Sequence, residues 1–437
     1  MPATLSAHGA LDKPPATQEY WQSDDRIGSI ALLNVKTARI PPLPLDRWPA
    51  GLLDEVNNLS GGNLQAGRNV FCTLANYPRL FIAWMRLGVH ALGRSSLPGR
   101  EREMVILRAT ALANGRYPFA QHVEIGLRCG LKRIAIAALL AGPSSSHWRG
   151  ADRRLLKAVD ELAAGNALND TTWDELRRRL SVAQCMDVAA TVAFYRLAAW
   201  LLNACRTPLE DGQQGIDMTA EGPESRLEAN AYDGEARFPS IPPEDWSPAL
   251  LAETAKWPGL RARPELRRAG VYATFANHPA LLQAIGGLAV HILHRNSLPD
   301  RVREIAIIRA CARARGAYPY RQHVGIGRSV GVSEAEIAML GQLRPAGLGE
   351  EPRTLVELVD RLYRDNDVDD AVWARAQAVF SNDQIMDVIL ICGFYGLISA
   401  VLNLARTPLE PGSDSLPKHF IEQGNEPGTG WCRDIST

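Results

Sequence analysis

SLPGREREMVILRATALANGRYPFAQHV at 96–123 returns as SLPDRVREIAIIRACARARGAYPYRQHV at 297–324, an offset of 201 residues. The same offset pairs Asn76 with Asn277 and His90 with His291. Downstream it becomes 200, so that Met186-Asp187-Val188 meets Met386-Asp387-Val388 and Phe194-Tyr195 meets Phe394-Tyr395. Upstream, Arg39 and Trp48 pair with Arg237 and Trp246 at an offset of 198. Self-similarity on this scale means that one folding unit has been used twice.

One copy is placed at 39–210 and the other at 237–410, with an N-terminal arm at 1–38 and a C-terminal tail at 411–437. The intervening 211–236 is rich in Gly, Glu, Asp and Gln and reads as a linker. Within a copy, Leu80, Trp84, Leu87 and Ala91 recur at the three- and four-residue spacing of one helix face. Met104-Val-Ile-Leu107 makes the next segment apolar on nearly all sides, which predicts a buried helix. Ser96 is expected to cap that helix and Gly115 to end it; Tyr117-Pro118 then opens another that runs to Gly130. Trp48, Trp173, Trp246 and Trp373 recur in register as core residues. Alternating β-branched runs and hairpin signals are scarce, so the expected class is all-α.

Charge is balanced, 48 basic against 48 acidic residues, so neither nucleic acid nor an anionic membrane is expected as a partner. The N-terminus does not read as a secretory signal, and no uninterrupted apolar run approaches the ~18 residues of a transmembrane helix. The seven cysteines are scattered and form no CxxC pair. That usage suits a reducing compartment, and a cytoplasmic location is the expectation.

Glu103 lies one turn inside the apolar helix, and Glu304 repeats it. A carboxylate so placed is either paired or driven toward its neutral form, the setting wanted for acid–base work. An ion pair with Arg102 or Arg108 (Arg303 or Arg309 in the second copy) is the structural alternative. His122 and His323 stand nineteen positions further on, early in the next helix, where an imidazole can exchange protons near neutral pH. A packed histidine bonded to a backbone carbonyl is the competing reading. In a simple antiparallel hairpin the two side chains would be staggered by roughly 7 Å, so contact requires crossed helices. His90 and His291, near the end of the preceding helix, either line the same pocket or interact with the negative helix terminus. His291-x-x-His294 presents two imidazoles on one helix face, but Tyr77 and Gly93 occupy the places of His278 and His294 in the first copy and no carboxylate is obviously supplied. No metal site is expected on these grounds.

The order Arg-x-Arg-Glu, apolar helix, then Gly-x-Tyr-Pro-aromatic-x-Gln-His resembles the carboxymuconolactone decarboxylase family and the related AhpD-like alkylhydroperoxidases. The resemblance implies two tandem AhpD-like helical domains forming a pseudo-dimer. In the peroxidase branch a CxxC pair stands seven and four residues before the histidine. Gly115 and Pro118, and Gly316 and Pro319, hold those places here, so neither attacking nor resolving thiol is present. The resemblance then implies a cofactor-free lyase that decarboxylates or isomerises a small conjugated lactone or keto acid. His122 and His323 would be proton donors with Glu103 and Glu304 as partners; Tyr117 and Tyr318 would bond the developing oxyanion, and Arg108 and Arg309 a substrate carboxylate. His90 and His291 are further pocket candidates. A dehydratase, isomerase or cyclase tailoring a natural product, and a non-catalytic ligand-binding scaffold of the same fold, are the alternatives. Family members are typically homo-oligomers, so a small-molecule substrate and further assembly, for instance a trimer of fused pairs, are expected.

Overall fold

The computed structural model describes residues 37–62, 68–211 and 235–410. The arm over 1–36, linker residues 212–234 and the tail 411–437 lie outside the described residues. The first copy contains α1 Leu52–Ser60, α2 Asn69–Leu74, α3 Pro78–Val89, α4 Gly99–Leu112, α5 Arg116–Arg128, α6 Arg133–Ala141, α7 Gly150–Gly165, α8 Asp170–Arg177 and α9 Val182–Cys205. The second contains α10 Pro248–Thr254, α11 Pro258–Ala262, α12 Gly270–Phe275, α13 Pro279–His294, α14 Asp300–Arg313, α15 Ala317–Ser329, α16 Glu334–Leu340, α17 Glu350–Asp365, α18 Asp370–Val379 and α19 Asn382–Ala405. Among the described residues there is no strand, and the fold class is all-α as expected.

Helix boundaries follow from where backbone groups find partners. α9 and α19 open at matching capping boxes, Ser181 with Gln184 and Ser381 with Gln384. Ser96 does not cap α4. The helix starts at Gly99 behind Pro98, and Ser96 instead donates its backbone N–H and hydroxyl to Asp187 Oδ2 at 2.5 and 2.7 Å. Ser297 does the same to Asp387. α4 also ends before Gly115: the left-handed residue of the turn is Asn114 (φ 51°), and in the second copy Arg315 (φ 55°). Gly115 is required for a different reason. A Cβ there would stand 2.6 Å from Ala199 Cβ on α9, so the missing side chain lets the start of α5 press onto α9.

From Glu103 to Ala111, α4 is buried residue after residue, and α14 repeats this from Val302 to Ala312. The centre of the molecule is formed by α9 and α19, which pack along each other, with α3 against α13. Both central helices are 24 residues long and apolar enough, by length and mean hydropathy, to cross a membrane. This refines the reading from uninterrupted apolar runs, which Asp187, Arg196 and Asp387 break. The apolar window of each is wholly buried inside the protein, which accounts for its composition as that of a core helix.

Several contacts between the copies come in reciprocal pairs. Asn203 Nδ2 donates to Asn366 O at 3.1 Å, and Asn403 Nδ2 to Asn166 O at 3.2 Å. Arg39 bonds Asp370, and Arg237 bonds Asp170, each at 2.8 Å. Corresponding residues thus meet the opposite copy in corresponding ways, as in a self-complementary interface.

Candidate active site

α4 and α5 are consecutive, and their crossing brings together what the hairpin estimate kept apart. Glu103 Oε2 lies 2.7 Å from His122 Nδ1, and Glu304 Oε2 lies 2.7 Å from His323 Nδ1. The second oxygen of each carboxylate accepts from the preceding arginine, Arg102 Nε at 3.2 Å and Arg303 Nε at 3.0 Å. Both glutamates are fully buried. An ionised carboxylate at this depth holds its charge only with such partners. The ion-pair and histidine readings of Glu103 and Glu304 are therefore both realised, one on each oxygen.

A third residue completes the site, and the sequence reading passed over it. Tyr395, midway along α19, places its hydroxyl 2.7 Å from His323 Nε2, and its ring stands edge-on to the imidazole at 4.9 Å. Tyr195 holds the same place on α9, edge-on to His122 at 4.8 Å. Burial pushes both phenols well above the ordinary tyrosine range, and the charge of Glu103 or Glu304 adds to the effect. Each therefore stays protonated, and Tyr395 donates to His323. With Nδ1–H given to the carboxylate, Nε2 of His323 is the acceptor of the Tyr395 proton, which defines one tautomer. The signal for these tyrosines was the Phe-Tyr pair recurring in register in both copies, obscured because a buried apolar helix reads first as packing.

The other candidates lie in separate networks. Tyr117 donates to Glu210 Oε1 and accepts from Val70 N–H at 3.1 Å; Tyr318 donates to Glu410 Oε1 and accepts from Val271 N–H at 3.3 Å. These hydroxyls tie the segment after α9 or α19 to α2 or α12. Arg108 is held by both oxygens of Asp160 at 2.7 and 2.9 Å and donates to the carbonyls of Leu139 and Leu140. Arg309 repeats this with Asp360. The histidines at the ends of α3 and α13 meet a side chain instead of a helix terminus, His90 Nε2 at 2.7 Å from Asp187 Oδ1 and His291 Nε2 at 2.7 Å from Asp387 Oδ1. The six described cysteines are free thiols, none of them in either Glu–His pair. A surface cleft lined by Arg153, Arg154, Lys157 and Glu175 includes none of these site residues.

Fold and site define a class: a helical unit in which a buried glutamate on one helix orients a histidine on the next, used twice in one chain. The model of the carboxymuconolactone decarboxylase family matches residues 78–161 and again 279–360. The chain thus carries two domains of that family in tandem. Each matched interval contains its Glu–His pair, whereas Tyr195 and Tyr395 fall beyond them. No curated protein matches the chain. Among solved structures, the crystal structure of a cysteine-to-alanine variant of the debrominase Bmp8 in complex with 2,3,4-tribromopyrrole is 18% identical, with 41% of this chain and 95% of that chain covered and a TM-score of 0.34.

Proposed function

We propose that the protein is a cofactor-free acid–base enzyme, a lyase that decarboxylates or isomerises a small conjugated lactone or keto acid. The observation that carries this reading is the Glu304–His323–Tyr395 chain, a proton path whose members are oriented and buried. Loss of CO₂ from such a substrate breaks one C–C bond and moves its electron pair into the conjugated carbonyl. Tyr395, held protonated, turns its hydroxyl from His323 Nε2 to the enolate oxygen as charge develops there. His323 takes up a proton from water at Nε2, with Glu304 holding the imidazolium through Nδ1–H. It then passes that proton to carbon and returns to the neutral tautomer. Glu103, His122 and Tyr195 perform the same steps in the first copy. Isomerisation uses the histidine in the opposite sense, taking a proton from one carbon and returning it to another.

The depth of the triad favours a second reading, a ligand-binding scaffold in which the chain of hydrogen bonds is structural. A panel of conjugated lactone and keto acids, followed by ultraviolet absorbance and CO₂ release, separates the two. Turnover is expected from the native protein and from His122→Ala or His323→Ala alone, and its loss by at least 100-fold from the double variant. Full activity in the double variant would overturn the mechanism. Saturable binding with no turnover of any panel member supports the scaffold.

A further inference from the structure

Asp187 of α9 gathers two histidines from opposite copies. His90 Nε2 comes from the π-helical turn that ends α3, and His278 Nε2 from the residue before α13, at 2.7 and 3.0 Å from the same Oδ1. All three side chains are buried, and their ligand atoms lie within 4.8 Å of one another. The outer oxygen, Oδ2, is held by Ser96 N–H, Ser96 Oγ and Ser95 Oγ. Such outer contacts fix a carboxylate's orientation and leave Oδ1 presented to the two rings.

His278 is the informative member. Its Nε2 is buried and, although 3.0 Å from Oδ1, makes no aligned hydrogen bond. A buried ring nitrogen 3.0 Å from a carboxylate oxygen that a second imidazole also approaches is placed to share a ligand with both. We propose that His90, Asp187 and His278 bind one divalent transition-metal ion of the zinc type, clasping the two copies together. Two imidazoles and a carboxylate are a donor set such ions accept, with a fourth position left for water. Tetrahedral bonds of about 2.0–2.1 Å separate ligand atoms by roughly 3.3 Å, and Asp187 Oδ1 now stands 2.7 and 3.0 Å from the two imidazole nitrogens, within an ångström of that spacing.

The other half of the molecule is a built-in control. The equivalent place has His291 and Asp387, but Tyr77 in place of His278, and the phenol donates to Asp387 Oδ2 at 3.0 Å. Burial and the Asp387 charge hold that phenol protonated, which removes it as a ligand. The site therefore exists once per chain although the fold is repeated. It involves none of the residues of the proposed reaction.

The full-length protein, stripped with a chelator and dialysed, is titrated with Co²⁺ and Zn²⁺. Expected are visible Co²⁺ d–d bands, displacement by Zn²⁺, and one equivalent of metal per chain. His278→Tyr, which copies the arrangement of the other half, is expected to lose the bands and weaken binding at least 10-fold. Tyr77→His is expected to raise the stoichiometry to two. A native protein that gives no Co²⁺ bands, or metal binding equal in the native protein and His278→Tyr, overturns the proposal. Should His278→Tyr fail to fold, the Tyr77→His stoichiometry decides alone: two equivalents support the site and no increase overturns it.

Discussion

Arg108→Met separates two uses of a buried guanidinium, binding a substrate carboxylate or neutralising Asp160. The substitution keeps most of the apolar stem and removes the two bonds to Asp160 and those to the carbonyls of Leu139 and Leu140. Asp160, with its side chain only 7% exposed, then lacks its counter-ion. Leaving one half of a buried ion pair costs about 3–5 kcal/mol. At about 2–4 °C per kcal/mol for a unit of this size, the melting temperature should fall by on the order of 10 °C. Burial already raises the Asp160 carboxyl above its ordinary range against the opposing pull of Arg108. Without the guanidinium it rises further. A carboxyl raised in the folded state favours folding below its unfolded pKa, and that contribution is lost as pH climbs through the folded value. The deficit of the variant should therefore be smaller at pH 4.5 than at pH 7.5. Arg309→Met should cost less, because Asp360 is 24% exposed and has Arg313 Nε 3.6 Å away. Adding Asp160→Leu to Arg108→Met should recover most of the loss, since an apolar pair can replace a buried ionic one. Thermal and urea unfolding by circular dichroism at the two pH values tests all of this. An Arg108→Met protein that melts like the native one yet loses ligand binding would refute the reasoning and return Arg108 to the substrate.

Tyr395→Phe leaves His323 Nε2 without its donor and should cost about 1–3 kcal/mol in urea unfolding; under the proposed mechanism, combining it with Tyr195→Phe lowers kcat by 10- to 100-fold with little change in KM. An unchanged kcat would remove the tyrosines from the reaction. Gly115→Ala drives a methyl to within 2.6 Å of Ala199 and should destabilise by about 1–3 kcal/mol; Ala199→Gly in the same chain should restore most of it, and the absence of rescue would show that the close approach is not the reason for the glycine. The eight described tyrosines all have phenols raised with burial as the largest cause, Tyr320 to about 12. A raised phenol contributes stability below its unfolded pKa of about 10 and loses it as pH rises toward the folded value. Absorbance at 295 nm should accordingly show most tyrosinate appearing together with alkaline unfolding, and full ionisation at pH 11 with the circular dichroism intact would contradict the burial argument.

The duplication, the helical class and the recurrence of Glu103 and His122 as Glu304 and His323 were legible from residues alone, because repetition and the 3.6-residue period are properties of order along the chain. Helix starts and stops were less so. Ser96 looked like a cap because its type and place fit one, but Asp187, ninety-one positions away, had the stronger claim on its donors. Crossing geometry was not legible at all: whether Glu103 touches His122 depends on how α4 and α5 sit on α9, which the space over Gly115 and Ala199 decides.

The tertiary structure alone chose partners among residues far apart in sequence. Tyr395 to His323, Arg108 to Asp160, and His278 to Asp187 span 72, 52 and 91 positions. A single sequence carries periodicity and composition, which act locally. It does not carry the register of one buried helix against another, and that register selects which polar group answers each buried charge. Two nearly equal copies therefore hold matching Glu–His pairs, while exchanges such as Tyr77 against His278 make their shared boundary unequal.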